Sequence, residues 1–147
     1  MNRTSLSQHM GGALVLALAL LSSVPAAHAL DCEGAADQTS LNLCAGRAYS
    51  EADRRLNELY RDLKARLKGD PNRLGHLTSA QRAWIGFRDL ECEFRASAVQ
   101  GGSAQPMVKA DCLRDQTERR IEALNDYANC PEGDLGCPVP PPMNQSN

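Results

Sequence analysis

The segment QRAWIGFRDLEC, residues 81–92, brings together the chain's one Trp, one of its two Phe residues, two Arg, two acids and a Cys. If the segment is helical, Asp89 and Glu93 one turn further on share a face, and paired carboxylates are a means of acid–base catalysis. That face is also the most polar part of the helix, which suits solvated acids. The other ingredients of catalysis are missing. Once an N-terminal signal is set aside, His76 is the sole histidine, and it falls in what reads as a loop. No nucleophile has a histidine base, no glycine-rich loop suggests a phosphate site, and no CxxC pair or His/Cys cluster has metal-ligand spacing. The residues therefore point to a protein that is not an enzyme and that needs no cofactor and no metal.

The first residues bear on where such a protein works. MNRTSLSQHM carries one positive charge, GGALVLALALLSSV is a short apolar run, and PAAHA ends in Ala27-x-Ala29. This is the layout of a secretory signal cleaved after Ala29, residues 1–29, and the run is short for a membrane span. Small residues do not precede Cys32, so lipid anchoring there is disfavoured. The mature chain, Leu30–Asn147, is one small domain. Losing Arg3 takes its net charge from −2 to −3, with no basic patch for nucleic acid.

All six cysteines, Cys32, Cys44, Cys92, Cys112, Cys130 and Cys137, lie in the mature part. An even number in a small exported domain reads as three disulfides formed in an oxidising compartment, periplasmic or extracellular.

Three amphipathic patterns must position these groups. Leu41, Ala45, Ala48, Ala52, Leu56, Leu59, Leu63 and Leu67 form one stripe, predicting a first helix from about Ser40 to Lys68 that ends at Gly69-Asp70-Pro71-Asn72. TSAQ reads as a capping box that starts a second helix at Thr78, running to about Ala98 before QGGS. The third helix begins around Ser103–Pro106, with Ala110, Leu113, Thr117, Ile121, Leu124 and Ala128 as its stripe. The fold expected is an all-α, small antiparallel three-helix bundle stapled by disulfides. The first helix is the longest, so its N-terminal turns should project or be covered by residues 30–39. The bundle domain takes residues 30–129. Residues 130–147, rich in Pro and Gly with little to bury, form a tail carrying one small disulfide loop.

Helix heights sort the cysteines. Cys92 and Cys112 each lie roughly 9–13 Å from the loop joining helices two and three, so they face each other. Cys44 is roughly 36 Å up the first helix and does not match Cys92 at about 21 Å. Cys32 then folds back to Cys44, and Cys130 closes on Cys137.

On the second helix, Ala83, Phe87, Leu90 and Phe94 share one side, with Gln81, Trp84, Arg88 and Cys92 on an adjoining one. A helix touching both neighbours would bury both sides, which makes Trp84 and the two Phe residues core. A buried Arg88 needs acceptors. Asp53 and Asn57 on helix one and Thr117 on helix three are the candidates for a polar network that fixes register.

Taken together, CAGRAYSEADRRLNELYRDL, LTSAQRAWIGFRDLECEF and GGSAQPMVKADCLRDQTERRIEAL, within residues 32–124, resemble the lysozyme-inhibitor LprI N-terminal domain family. The matching positions are Cys32 and Cys44; Ala52, Asp53, Leu56, Asn57 and Tyr60; Gln81, Trp84, Phe87, Arg88, Asp89 and Cys92; and Cys112, Thr117 and Arg120. The resemblance implies an exported, helical, disulfide-bonded bacterial protein. The family takes its name from a member that inhibits lysozyme. These motif residues, Tyr60, Gln81 and Arg120 among them, read as core and polar network. Cys130, Cys137 and the Pro-rich tail are additions to the family's four-Cys pattern.

Two functions follow as expectations. One is an inhibitor that binds and occludes a lysozyme-type muramidase; the other is a non-catalytic envelope interaction or structural module. The partner is a protein in either case. The loop CPEGDLGC offers Glu132, Asp134 and Leu135 as candidate partner contacts, and its acids could steer a basic lysozyme; a staple against proteolysis is the plainer role. Asp89 and Glu93 are a second candidate surface.

Overall fold

The computed structural model describes residues 32–131 and 133–140. The expected signal (1–29) and Glu132 lie outside them. Three helices, α1 (Gln38–Arg66), α2 (Pro71–Ala96) and α3 (Gln105–Ala128), pack together, with a single 3₁₀ turn at Ser97–Val99 and no strand among the described residues.

α1 and α2 begin where a carboxylate supplies a cap, whereas α3 starts after Ala104 with no side-chain cap. The Asp37 carboxylate accepts the Ser40 amide at 3.0 Å, and the Asp70 carboxylate accepts the Arg73 amide at 3.0 Å. Pro71 stands in the first turn of α2. Asp followed by Pro is a strong start signal, because the carboxylate satisfies a free amide and Pro has none to satisfy. This corrects the start expected at Thr78. The Asp70 cap lies eight residues earlier, and the Thr78 hydroxyl donates to the Leu74 carbonyl at 2.8 Å inside the helix. His76 is accordingly helical rather than in a loop. Between α2 and α3 the chain turns at Gly101, whose φ of 76° suits glycine, and the Gln105 side chain accepts the Gly101 amide at 2.8 Å.

α1 and α3 run in the same direction and meet along their length. Asn42 donates to the Ser103 carbonyl, Arg55 pairs with Glu118, and Arg66 donates to the Ala128 carbonyl. The first turns of α1 therefore lie beside the start of α3 and do not project. α2 returns antiparallel and leans chiefly on α3. The three disulfides join Cys32 to Cys44, Cys92 to Cys112 and Cys130 to Cys137, with Cα separations of 5.6, 5.5 and 5.6 Å. The pairing is the expected one, but with α2 starting at Pro71 Cys44 and Cys92 stand at similar heights, roughly 32 Å above the loop that joins their helices, so height places only Cys92 beside Cys112 and does not by itself exclude Cys44–Cys92.

Leu56, Leu63, Leu67, Leu124 and Val139 form the main core, with Leu59, Tyr60, Leu74, Leu77, Trp84, Ile121 and Tyr127 packed around it. Two features differ from expectation. Val139, in the segment thought to have little to bury, is only 2% exposed, and Arg66 holds the adjacent Pro140 carbonyl. Phe87, Leu90 and Phe94, read as core, are 56%, 74% and 76% exposed. The expectation assumed two helical neighbours for α2. Since α2 rests mainly on one, only the side carrying Gln81, Arg88, Cys92 and Ala96 is buried.

Candidate functional site

Arg88 organises the most elaborate polar cluster. It is 7% exposed, projecting from α2 toward α1. Its Nη1 pairs with Asp53 Oδ1 at 3.4 Å, and its Nη2 pairs with Asp89 Oδ1 at 2.8 Å. The guanidinium also lies against two aromatic rings, 5.1 Å from the centroid of Trp84 and 5.6 Å from that of Tyr49. A buried cation is tolerable because both its charge and its donors are met, and ring faces complete the enclosure.

Supporting contacts extend the cluster. Asn57 does not reach Arg88. It is exposed and donates to the Asp53 carbonyl and carboxylate, each at 2.8 Å, which fixes the Asp53 rotamer. Thr117 is not an acceptor for Arg88 either; its hydroxyl is fully buried with no hydrogen-bond partner. Arg120 lies 5.8 Å from the Trp84 ring and donates from Nε to the Gln81 side-chain carbonyl at 3.0 Å. Trp84 is half-buried, as is Tyr60, which receives Lys64 over its ring at 5.5 Å.

Tyr49 was not singled out from sequence. It stands one turn before Asp53 on α1, so an i, i+4 search from Asp53 would have found it. Burial raises its phenol above the ordinary value, with Arg88 opposing the shift.

The other candidate contacts lie apart. Asp89 is exposed beside Arg88, and exposed Glu93 pairs with Lys109 of α3. In the Cys130–Cys137 loop, Asp134 folds its own turn by accepting the Gly136 amide at 2.7 Å, while Leu135 is fully exposed. Just after that loop, beside Pro138 and Val139, a cleft of about 340 Å³ opens against Leu67, His76, Leu77, Ala80 and Tyr127. No group of three or more His, Cys, Asp or Glu side chains among the described residues could hold a metal, and no described helix is long and apolar enough to cross a membrane.

The arrangement is one of bracing and display. Arg88 ties two helices together and leaves the carboxylates of Asp53 and Asp89 at the rim. Comparison with known proteins agrees with the motif reading. An uncharacterized protein of Rhizobium meliloti (strain 1021) is 36% identical over 113 residues, covering 69% of this chain and 81% of that one. The uncharacterized protein YecT of Escherichia coli (strain K12) is 32% identical over 110 residues, covering 63% of this chain and 67% of its own length. No solved structure matches. A family model described as "Lysozyme inhibitor LprI" matches residues 32–124, a span that holds all three helices but the last turn of α3 and every residue of the Arg88 cluster, and the chain belongs to that family.

Proposed function

We propose that this protein is an exported inhibitor, periplasmic or secreted, that binds a lysozyme-type muramidase and blocks access to its substrate cleft. It acts by binding and catalyses nothing. Family membership over residues 32–124 carries the reading. Three disulfides fit an oxidising compartment and make the scaffold stiff, which lowers the ordering cost of binding.

The family match ends before Cys130, so an activity shared with the family belongs to the helices rather than to the Cys130–Cys137 loop. We assign the first contact to the rim acids Asp53 and Asp89, which face solvent while Arg88 holds them in place. Carboxylates steer basic partners, as many lysozymes are. The loop acids Glu132 and Asp134, with Leu135, then serve the staple.

The test is a lysozyme assay on a cell-wall suspension with the purified mature protein, at low and high salt. Inhibition should fall with salt. Asp53→Asn with Asp89→Asn keeps the acceptor oxygens toward Arg88 and removes the charges; it should weaken inhibition by roughly tenfold. Glu132→Ala with Asp134→Ala should leave it unchanged. Loss of inhibition in the loop variant alone would move the contact to the loop. Failure to inhibit any lysozyme would favour a non-catalytic envelope module.

A further inference from the structure

The outer face of α2 carries an apolar seam that no other part of the described chain covers. Ala80, Ala83, Phe87, Leu90 and Phe94 recur at alternating spacings of three and four, and all are exposed. That spacing is the one that lets two helices pack side by side. The seam lies roughly opposite Cys92, which is fully buried against α3.

We propose that this face binds the same face of a second copy, with the two α2 helices antiparallel about a two-fold axis between Arg88 and Asp89. Three features single out this occupant. The first is graded size. The N-terminal half of the seam is small (Ala80, Ala83 and, beside them, Gly86), and the C-terminal half is large (Phe87, Leu90 and Phe94). Antiparallel pairing about that axis sets Ala83 against Phe94 of the second copy and Phe87 against its Leu90. Gly86 has open space above it, so a neighbouring backbone can come close. Parallel pairing would stack Phe87 on Phe87 and Phe94 on Phe94, with the small residues left opposite one another.

Charge is the second feature. Arg82 and Glu93 lie on the same flank of the seam, one near each end, both exposed. The two-fold operation brings Arg82 of each copy toward Glu93 of the other, where it can share the carboxylate that Lys109 already holds.

The third is area. Phe87, Leu90 and Phe94 alone leave roughly 350–400 Å² of apolar surface in water, given the size of such side chains. A stable interface takes about 800 Å² from each partner, a little over half of it apolar. With Ala80, Ala83 and Gly86 added, the seam comes close to that apolar requirement. Asp89 borders this surface on the flank that carries Glu93, but the apolar seam includes neither Asp53 nor Asp89, so seam and acid substitutions can be scored separately.

Sedimentation velocity on the oxidised mature protein over a concentration series tests this. A reversible dimer is expected. Leu90→Glu should weaken it by about a hundredfold, as for a central apolar contact, while helicity and the thermal midpoint of the monomer stay unchanged because Leu90 is exposed. Arg82→Glu and Glu93→Arg should each weaken the dimer, and the two together should restore it. A protein that stays monomeric up to about 1 mM overturns the proposal. So does a monomeric protein in which Leu90→Glu abolishes lysozyme binding, since the face then belongs to lysozyme. A dimer broken by Leu90→Glu but not restored by the charge swap overturns the antiparallel register.

Discussion

The guanidinium of Arg88 lies 5.1 Å from the centre of the Trp84 ring, one turn away on the same helix. Tyr49 is on Arg88 as well, and Arg120 lies 5.8 Å from Trp84, so cations and rings alternate through the centre of the bundle. Removing Arg88 breaks two ion pairs and two ring contacts together. Arg88→Ala should cost about 2–4 kcal/mol, summing charged hydrogen bonds and cation–π contacts. Urea unfolding measures it. A double-mutant cycle with Asp53→Asn should give a coupling below about 1 kcal/mol, because Asp53 is partly exposed and screened.

Thr117 gives a prediction of opposite sign. Its hydroxyl is fully buried and unpartnered. Replacing it with a methyl group of the same shape removes an unmet polar atom. Thr117→Val should therefore stabilise by about 1 kcal/mol, raising the thermal midpoint by roughly 4–8 °C. A lowered midpoint would mean that the hydroxyl has a partner in solution.

Val139 tests whether the C-terminal segment belongs to the folded unit. Val139→Ala should cost about 1–3 kcal/mol as a core truncation. Val139→Asp should release the segment, and limited proteolysis should then cut after Cys137 while the helices survive. Equal protease resistance in wild type and Val139→Asp would show that the segment's docking is dispensable.

Tyr49 makes stability depend on alkaline pH. Burial holds its phenol above the ordinary 10.0, so the unfolded chain loses that proton first. Folding favours the protonated phenol. The contribution is complete below about pH 10 and declines as pH rises through the folded value. Ultraviolet titration should show a late-titrating phenol that Tyr49→Phe removes.

The helix stripes were legible because burial in a bundle repeats every three to four residues, and the Cys92–Cys112 pair followed from its height above the loop joining α2 and α3; the other two pairs followed from closeness along the chain. The second helix was harder. Its Thr78 capping box and the Asp70-Pro71 cap are both sound signals, and only the packing of Leu74 and Leu77 on the core shows which one the chain uses. Phe87, Leu90 and Phe94 look like core in sequence, since nothing local tells a buried apolar stripe from one left for a partner. The acceptors of Arg88 were partly readable. Asp53 lies at the right height on α1, whereas Asn57 supports Asp53 and Thr117 points into apolar surroundings.

The three disulfides link each cysteine to the next one along the chain, spanning 12, 20 and 7 residues. None of the loops they close overlaps another. Of the fifteen ways to pair six cysteines, this is the one reached by oxidising each pair in order of appearance. A chain threading out of a translocation pore end-first would present Cys32 and Cys44 before Cys92 arrives, and the last pair after the helices have emerged. An oxidase acting on whatever thiols are at hand would then make the native set directly, with nothing for an isomerase to reshuffle.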